Sequence, residues 1–150
     1  MAKKTKKIAI AADHAGFYLK EKIITWMLNE KYEVKDFGSS SEESVDYPDY
    51  AHPMAAAVAG EDFDLGISIC ATGNGINMTV NKHQGIRGAL CWNEEIARLA
   101  RAHNDANICA LAGRFITESE ALLIVKTFLE TEFEFGRHKR RIDKIPLKLY

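Results

Sequence analysis

The chain reads as an α/β protein whose parallel strands are covered by helices on both faces. Short apolar runs rich in β-formers alternate with longer amphipathic stretches from one end to the other. That alternation is the mark of parallel strands joined by right-handed helical crossovers. Ile67-Ser68-Ile69-Cys70 is apolar without a clean polar alternation, as expected of a strand buried on both faces. Polar, glycine-rich and titratable residues gather where the strands end, which is where open parallel sheets bind ligands.

The first strand is expected over Lys7–Ala12, followed by a helix over Phe17–Glu30. That helix carries Leu19, Ile23, Met27 and Leu28 on one face and Lys20, Glu21 and Lys22 among its polar positions, a spacing suited to lying on a sheet. Tyr32–Phe37 is the second strand. Asp46-Tyr47-Pro48 opens the second helix, Tyr47–Ala59, with Pro48 in the first turn, where a missing N–H costs little. Asp64–Cys70 is the third strand and Gly75–Lys82 its helix. Ile86–Cys91 and Asn107–Ala112 are the fourth and fifth strands, with a helix over Glu94–Arg101 between them. The last helix, Ser119–Glu130, is announced by Thr117 as cap and by Glu118 and Glu120 on its first turn. Beyond Glu130 the pattern weakens into a basic arm, and one domain is expected over 1–150, with the arm at about 131–150 packing on a partner subunit.

Bulk properties narrow the function. Of 150 residues, 47% are hydrophobic, enough for one core of ordinary size. Twenty Lys and Arg against 21 Asp and Glu leave a net charge of -1, so nothing draws the whole molecule to nucleic acid or an anionic membrane. No apolar run approaches the roughly 20 residues of a bilayer span. The basic start, Met1 to Lys7, leads into a strand and not a signal sequence, and the cytoplasm is the expected compartment. Cys70, Cys91 and Cys109 are too widely spaced for a CxxC pair and odd in number, so free thiols are expected. Cys91 and Cys109 read as small buried hydrophobes.

The chemistry collects just past the strands. Asp13-His14-Ala15-Gly16 comes directly after the first. Cys70-Ala71-Thr72-Gly73-Asn74-Gly75 ends the third, His103-Asn104-Asp105 comes one helix after the fourth, and Gly113-Arg114 succeeds the fifth. All four are expected on one edge of the molecule. The glycines of Thr72-Gly73-Asn74-Gly75 free the backbone to aim several N–H groups at one spot beside a helix start, an arrangement that suits an oxyanion. A tight strand-to-helix turn accounts for the glycines as well. Cys70 raises the first reading: a thiol beside a helix N-terminus favours its thiolate. Such a base removes a proton from a carbon α to a carbonyl while the cradle holds the enediolate.

Other groups fit the same chemistry. His103 suits sugar ring opening, although an exposed helix-end histidine is an equal reading. Asp13 and His14 are placed for a sugar hydroxyl and a phosphate; capping of the following turn by Asp13 is compatible with that. Arg114, Arg137 and Arg141 match phosphate oxygens, and Tyr47, at the start of its helix, is expected to reach the site as well. The five histidines, His14, His52, His83, His103 and His138, look scattered, with no HxxxH pair and no clustered carboxylates, so no metal and no cofactor are expected. That favours a metal-free proton shuttle over a metal-assisted hydride shift.

Five blocks then carry a resemblance: Ile8–Gly16 (IAIAADHAG), Val45–Ala51 (VDYPDYA), Ile69–Gly75 (ICATGNG), His103–Asn107 (HNDAN) and Gly136–Arg141 (GRHKRR). Together, in order and over about Lys7 to Ile145, they resemble the ribose-5-phosphate isomerase B family, whose wider group includes galactose-6-phosphate isomerase subunits. The resemblance implies a Rossmann-like three-layer αβα sandwich with a five-stranded parallel sheet. It also implies a homodimer, or a tetramer of dimers, with active sites at the subunit interface and a sugar phosphate as the small-molecule substrate. By matching position Cys70 is the base between C1 and C2, and Thr72 relays a proton between the substrate oxygens. The amides of Ala71, Thr72, Gly73, Asn74 and Gly75 with Asn104 hold the enediolate. His103 with Asp13 opens the furanose, and His14, Arg114, Arg137 and Arg141 grip the phosphate, some from the neighbouring subunit. Ala71 stands where many members have Gly, and Asn74 where many have an aliphatic residue, which bears on sugar preference. One branch uses an acidic residue farther along the loop as base; Ile76-Asn77-Met78 offers none.

The expected reaction is therefore ribose 5-phosphate to ribulose 5-phosphate. The alternatives are a six-carbon substrate such as allose 6-phosphate, or a non-catalytic sugar-phosphate-binding module. An NAD-dependent oxidoreductase is disfavoured, since the first strand-helix turn lacks GxGxxG.

Overall fold

A computed structural model describes residues 4–148; the ends of the expected 1–150 domain lie outside them. In chain order the elements are β1 (Lys7–Ala12), α1 (Phe17–Asn29), β2 (Glu33–Asp36), α2 (Tyr47–Ala59), β3 (Leu65–Cys70), α3 (Asn74–Val80), β4 (Gly88–Leu90), α4 (Glu94–Asn104), β5 (Ile108–Ala112), α5 (Glu118–Glu130) and α6 (Arg137–Ile142). A 3₁₀ turn at His14–Gly16 leads into α1. The five strands form one all-parallel sheet in the order β2-β1-β3-β5-β4. The α/β three-layer expectation holds.

Alternation along β1 explains the layers. Ile8, Ile10 and Ala12 face a core shared with α1, α4 and α5; Ala9 and Ala11 face the other, shared with α2 and α3. Every residue of β3 is buried, which is why its sequence lacks a polar face. The edge strands are shorter than their apolar runs promised. Within Ile86–Cys91 the strand proper is Gly88–Leu90, although the Cys91 amide still donates to the Ala110 carbonyl at 3.0 Å and the Arg87 carbonyl accepts the Asn107 amide at 3.0 Å. Phe128 is fully buried, and its truncation to Ala costs about 3–5 kcal/mol.

Helix ends obey local chemistry. Thr117 and Glu120 form a capping box, with Thr117 Oγ1 accepting from the Glu120 amide at 3.1 Å and Glu120 Oε2 from the Thr117 amide at 2.7 Å. Asn93 caps α4 by accepting from the Ile96 amide at 2.9 Å. Pro48 lies in the first turn of α2.

Two expectations on α1 are corrected. Leu28 is 54% exposed, off the buried stripe of Leu19, Ile23 and Met27. Lys20 is wholly buried, its Nζ 2.8 Å from Glu21 Oε1 and 2.7 Å from Asp36 Oδ2. A buried ammonium persists only when paired. The other oxygen of Asp36 accepts the Gly38 amide at 2.8 Å, so the pair anchors the segment that leaves β2.

Candidate active site

The site grows from the C-terminal ends of β1, β3 and β5. Asp13 directly follows β1, is 5% exposed, and accepts the Ala15 and Gly16 amides at 2.9 and 3.3 Å. It caps the turn that presents His14. His14 Nδ1 accepts the Val45 amide at 3.1 Å. Gly16 packs so tightly on β3 that a Cβ there would lie 2.6 Å from Ile69 Cγ2, which fixes the separation of the first and third loops.

Cys70 ends β3 and is 4% exposed, buried with Ile76 and Val80 of α3 and Ala110 of β5. Its carbonyl accepts the Gly113 amide at 2.9 Å, and the next carbonyl, Ala71, accepts the Arg114 amide at 3.1 Å. The loops after β3 and β5 are therefore stitched together, and the backbone of Arg114 is held beside the thiol-bearing turn. Arg114 itself is exposed. Cys91 and Cys109 are both fully buried, and burial, then Cys91, pushes the Cys109 thiol well up. Cys70 is the sole thiol among the described residues with any exposure.

Gly73 has φ 76°, left-handed backbone that glycine adopts freely. A Cβ there would also sit 2.5 Å from Leu90 Cδ1 and 3.0 Å from the Leu111 carbonyl carbon. The turn it permits aims the chain into α3. Thr72 Oγ1 accepts the Asn74 amide at 3.2 Å. Among the described residues, the amides of Thr72, Gly73 and Gly75 donate to no protein acceptor. Those three donors, with a helix start behind two of them, form a concave anion receptor. The Tyr47 ring closes one side: a Cβ on Gly75 would meet it at 2.5 Å. Two residues before Cys70 on the same strand face, Ser68 is fully buried and its hydroxyl has no partner among the described residues.

The expectation that His103 and Asn104 share this edge is corrected. Helix α4 runs back from the end of β4 to the start of β5, so they stand at the opposite, N-terminal edge of the sheet. Arg87, just ahead of β4, donates through Nε to the Asn104 carbonyl at 3.0 Å. Arg101 Nη1 donates to Asp105 Oδ1 and the Ala106 carbonyl at 2.9 and 2.6 Å. Arg137 and Arg141 lie on α6, which packs against α4. One chain thus carries two groups of candidate residues. Asp13, His14, Tyr47, Cys70 to Gly75 and Arg114 are at one end; His103, Asn104, Arg137 and Arg141 are at the other.

The histidines are not scattered in space, a second correction. His103 and His138 stack with centroids 4.1 Å apart, and His52 Nδ1 lies 2.7 Å from His83 Nε2. Glu134 stands 3.9 Å from both His103 Nε2 and His138 Nε2. The sequence does not single out His138 and Glu134 for chemistry. Their spacing of four residues is a signal, but one common on any basic arm.

The sequence profile of the Ribose/Galactose Isomerase family matches residues 8–145. Ribose-5-phosphate isomerase B of Escherichia coli is 44% identical over 140 residues, 93% of this chain and 94% of that protein. A crystal structure of ribose 5-phosphate isomerase from Thermotoga maritima superposes with a TM-score of 0.91 at 52% identity, covering 93% of this chain and 97% of that one. Ribose-5-phosphate isomerase B from Mycoplasma genitalium, solved with bound ribulose-5-phosphate, superposes at 0.89 with 45% identity and 93% coverage of each chain. With the sheet order, the cysteine-glycine turn and these likenesses in agreement, the chain belongs to the ribose/galactose isomerase family.

Proposed function

We propose that this chain is an aldose-ketose isomerase that interconverts ribose 5-phosphate and ribulose 5-phosphate, an intramolecular oxidoreductase step of the pentose phosphate pathway. The observation that carries the reading is the juxtaposition of Cys70 with the unpaired amides of Thr72, Gly73 and Gly75 at the end of one strand. In the open-chain aldose, the Cys70 thiolate takes the proton from C2 and the electron pair moves onto the carbonyl oxygen at C1. The loop amides stabilise the enediolate oxygen. Thr72 relays a proton between O1 and O2, and Cys70 returns its proton to C1, leaving the carbonyl at C2. Atoms and charge balance without an external reactant, and each step uses groups of this chain.

His103, with Asp13, opens the furanose ring, and Asn104 adds a donor to the enediolate. His14, Arg114, Arg137 and Arg141 hold the phosphate. Since His103, Asn104, Arg137 and Arg141 lie at the far end of the chain from Cys70, this assignment calls for a homodimer, or a tetramer of such dimers, in which each site takes one group from each protomer. The arm beyond Glu130 then serves the partner, although part of it, α6, also packs on its own α4. Among the described residues no helix is long and apolar enough to cross a membrane, and we place the enzyme in the cytoplasm.

The test is a coupled assay with ribose 5-phosphate, run with and without a chelator and with allose 6-phosphate alongside. Turnover of the pentose unaffected by chelation is the expected result. Cys70→Ala is expected to lose roughly 10²- to 10⁴-fold in kcat while keeping sugar-phosphate affinity. Undiminished turnover by that variant would remove the base from the mechanism and leave a binding module.

A further inference from the structure

His138 has no part in the isomerase scheme, yet it is the better-enclosed member of a histidine pair. Its side chain is 11% exposed against 38% for His103, and the two rings are nearly parallel at 10° with centroids 4.1 Å apart. One carboxylate oxygen of Glu134 stands 3.9 Å from Nε2 of each ring. The Glu134 amide donates to the Ala102 carbonyl at 3.0 Å, tying the segment that carries Glu134 to α4 beside His103.

We propose that His138 is a positioning residue: an uncharged aromatic plate that, with Glu134, holds the His103 ring in the orientation needed for opening the sugar ring. The inference rests on the assignment of His103 to that step. A half-exposed side chain near the end of a helix keeps its rotamer freedom unless something takes it away, and a face-to-face neighbour does so. The plate has to be uncharged, because two imidazolium rings 4.1 Å apart repel. The charged groups around the pair are Glu95 and Arg98 from α4, Glu134 from the connecting segment, and Arg137 and Arg141 from α6. Burial, then His103, Arg137 and Arg141, lower the pH at which His138 takes a proton, against the pull of Glu134. That direction favours the neutral ring that the stacked geometry calls for.

Two imidazoles and a carboxylate are also a zinc ligand set. Near-parallel rings cannot both direct an in-plane lone pair at one ion, and Arg98, Arg137 and Arg141 oppose a divalent cation, so orientation is the reading the geometry favours.

The test uses the full chain with His138→Ala, His138→Phe and His103→Ala. Ribulose 5-phosphate has no free O5 to close a furanose, so exchange of its C1 hydrogen in D₂O needs the base and the cradle but no ring chemistry. His138→Ala is expected to lower kcat for ribose 5-phosphate roughly 10- to 100-fold, with KM and C1 exchange little changed. His138→Phe restores the plate without a titrating nitrogen, and is expected to recover most of the turnover and hold it to lower pH than the unaltered chain. Exchange falling in step with turnover, failure of Phe to rescue, or wild-type turnover by the Ala variant would each overturn the proposal. Full ribose 5-phosphate turnover by His103→Ala would instead remove the assignment beneath it, whatever the His138 variants do.

Discussion

The Val45 amide donates to Nδ1 of His14 at 3.1 Å, joining the loop before α2 to the turn after β1. An imidazole that accepts at Nδ1 carries its hydrogen on Nε2 when neutral. His14 is thereby set as a donor on the side away from Val45, which suits an anionic oxygen. His14→Ala is expected to raise KM for the sugar phosphate roughly 10- to 100-fold, the worth of a hydrogen bond to a charged group, with a much smaller change in kcat. A kcat effect larger than the KM effect would move His14 from phosphate binding to the chemical steps.

Thiol labelling separates the three cysteines. Cys70 is 4% exposed, whereas Cys91 and Cys109 are 0% exposed, and burial with Cys91 pushes the Cys109 thiol up and away from its reactive form. Iodoacetamide on the folded chain is expected to modify Cys70 first, to abolish turnover as it does so, and to be blocked by ribose 5-phosphate. Peptide mapping after partial inactivation reads this directly. Label confined to Cys91 or Cys109 contradicts the role given to Cys70.

The turn at Gly73 has no room for a side chain. Gly73→Ala places a Cβ on a left-handed residue and within 2.5 Å of Leu90 Cδ1. A loss of about 1–3 kcal/mol in stability is expected from the strained backbone, with turnover falling further as the loop amides shift. Urea unfolding and steady-state kinetics on the same preparation check both. Gly136→Ala meets no such clash, since nothing lies within 4 Å of the added carbon, and would report backbone strain alone, at φ 58° and ψ -132°.

Acid stability carries a signature of His138. Its protonation is pushed below the ordinary histidine value, first by burial and then by His103. A depressed folded-state pKa means that the unfolded chain binds the proton more readily. The contribution to stability is therefore present above about pH 6.5, the ordinary histidine value, and is lost as pH falls through the lower folded value. His138→Phe is expected to flatten that part of the melting-temperature profile between neutral and mildly acidic pH. An unchanged slope assigns the acid response to other groups.

Asp36 tests the buried cation. Lys20 is fully enclosed and pairs with Asp36 and Glu21. Removing an acceptor from a buried charge costs more than replacing that charge by an apolar chain of similar length. Asp36→Ala is thus expected to lower the melting temperature more than Lys20→Met does, as scanning calorimetry measures. The reverse order would show that Glu21 alone satisfies the ammonium.

Much of the architecture is legible because it is encoded locally. The boundaries of β1 and α2 can be read to the residue, since an apolar run ending in Asp13-His14 and a Pro48 in the first turn are signals within a few positions of the ends they mark. Lys20 reads as a surface charge because its partner Asp36 is 16 residues away, at the end of β2. Leu28 reads as core because the pattern along α1 does not say where the covering sheet stops. Cys70 and its glycine turn are visible together, being adjacent in the chain.

What the sequence by itself determined is the order of strands and helices, the cysteine-glycine turn at the end of β3, and the family to which those blocks belong. All of these depend on neighbours along the chain. Only the tertiary structure decided that His103 and Asn104 sit at the far end of the sheet from Cys70, and that His138, 35 positions from His103, lies flat against it. A helix that crosses back over a parallel sheet carries its last residues to the opposite edge, and the chain's folding, not its order, decides which side chains meet there.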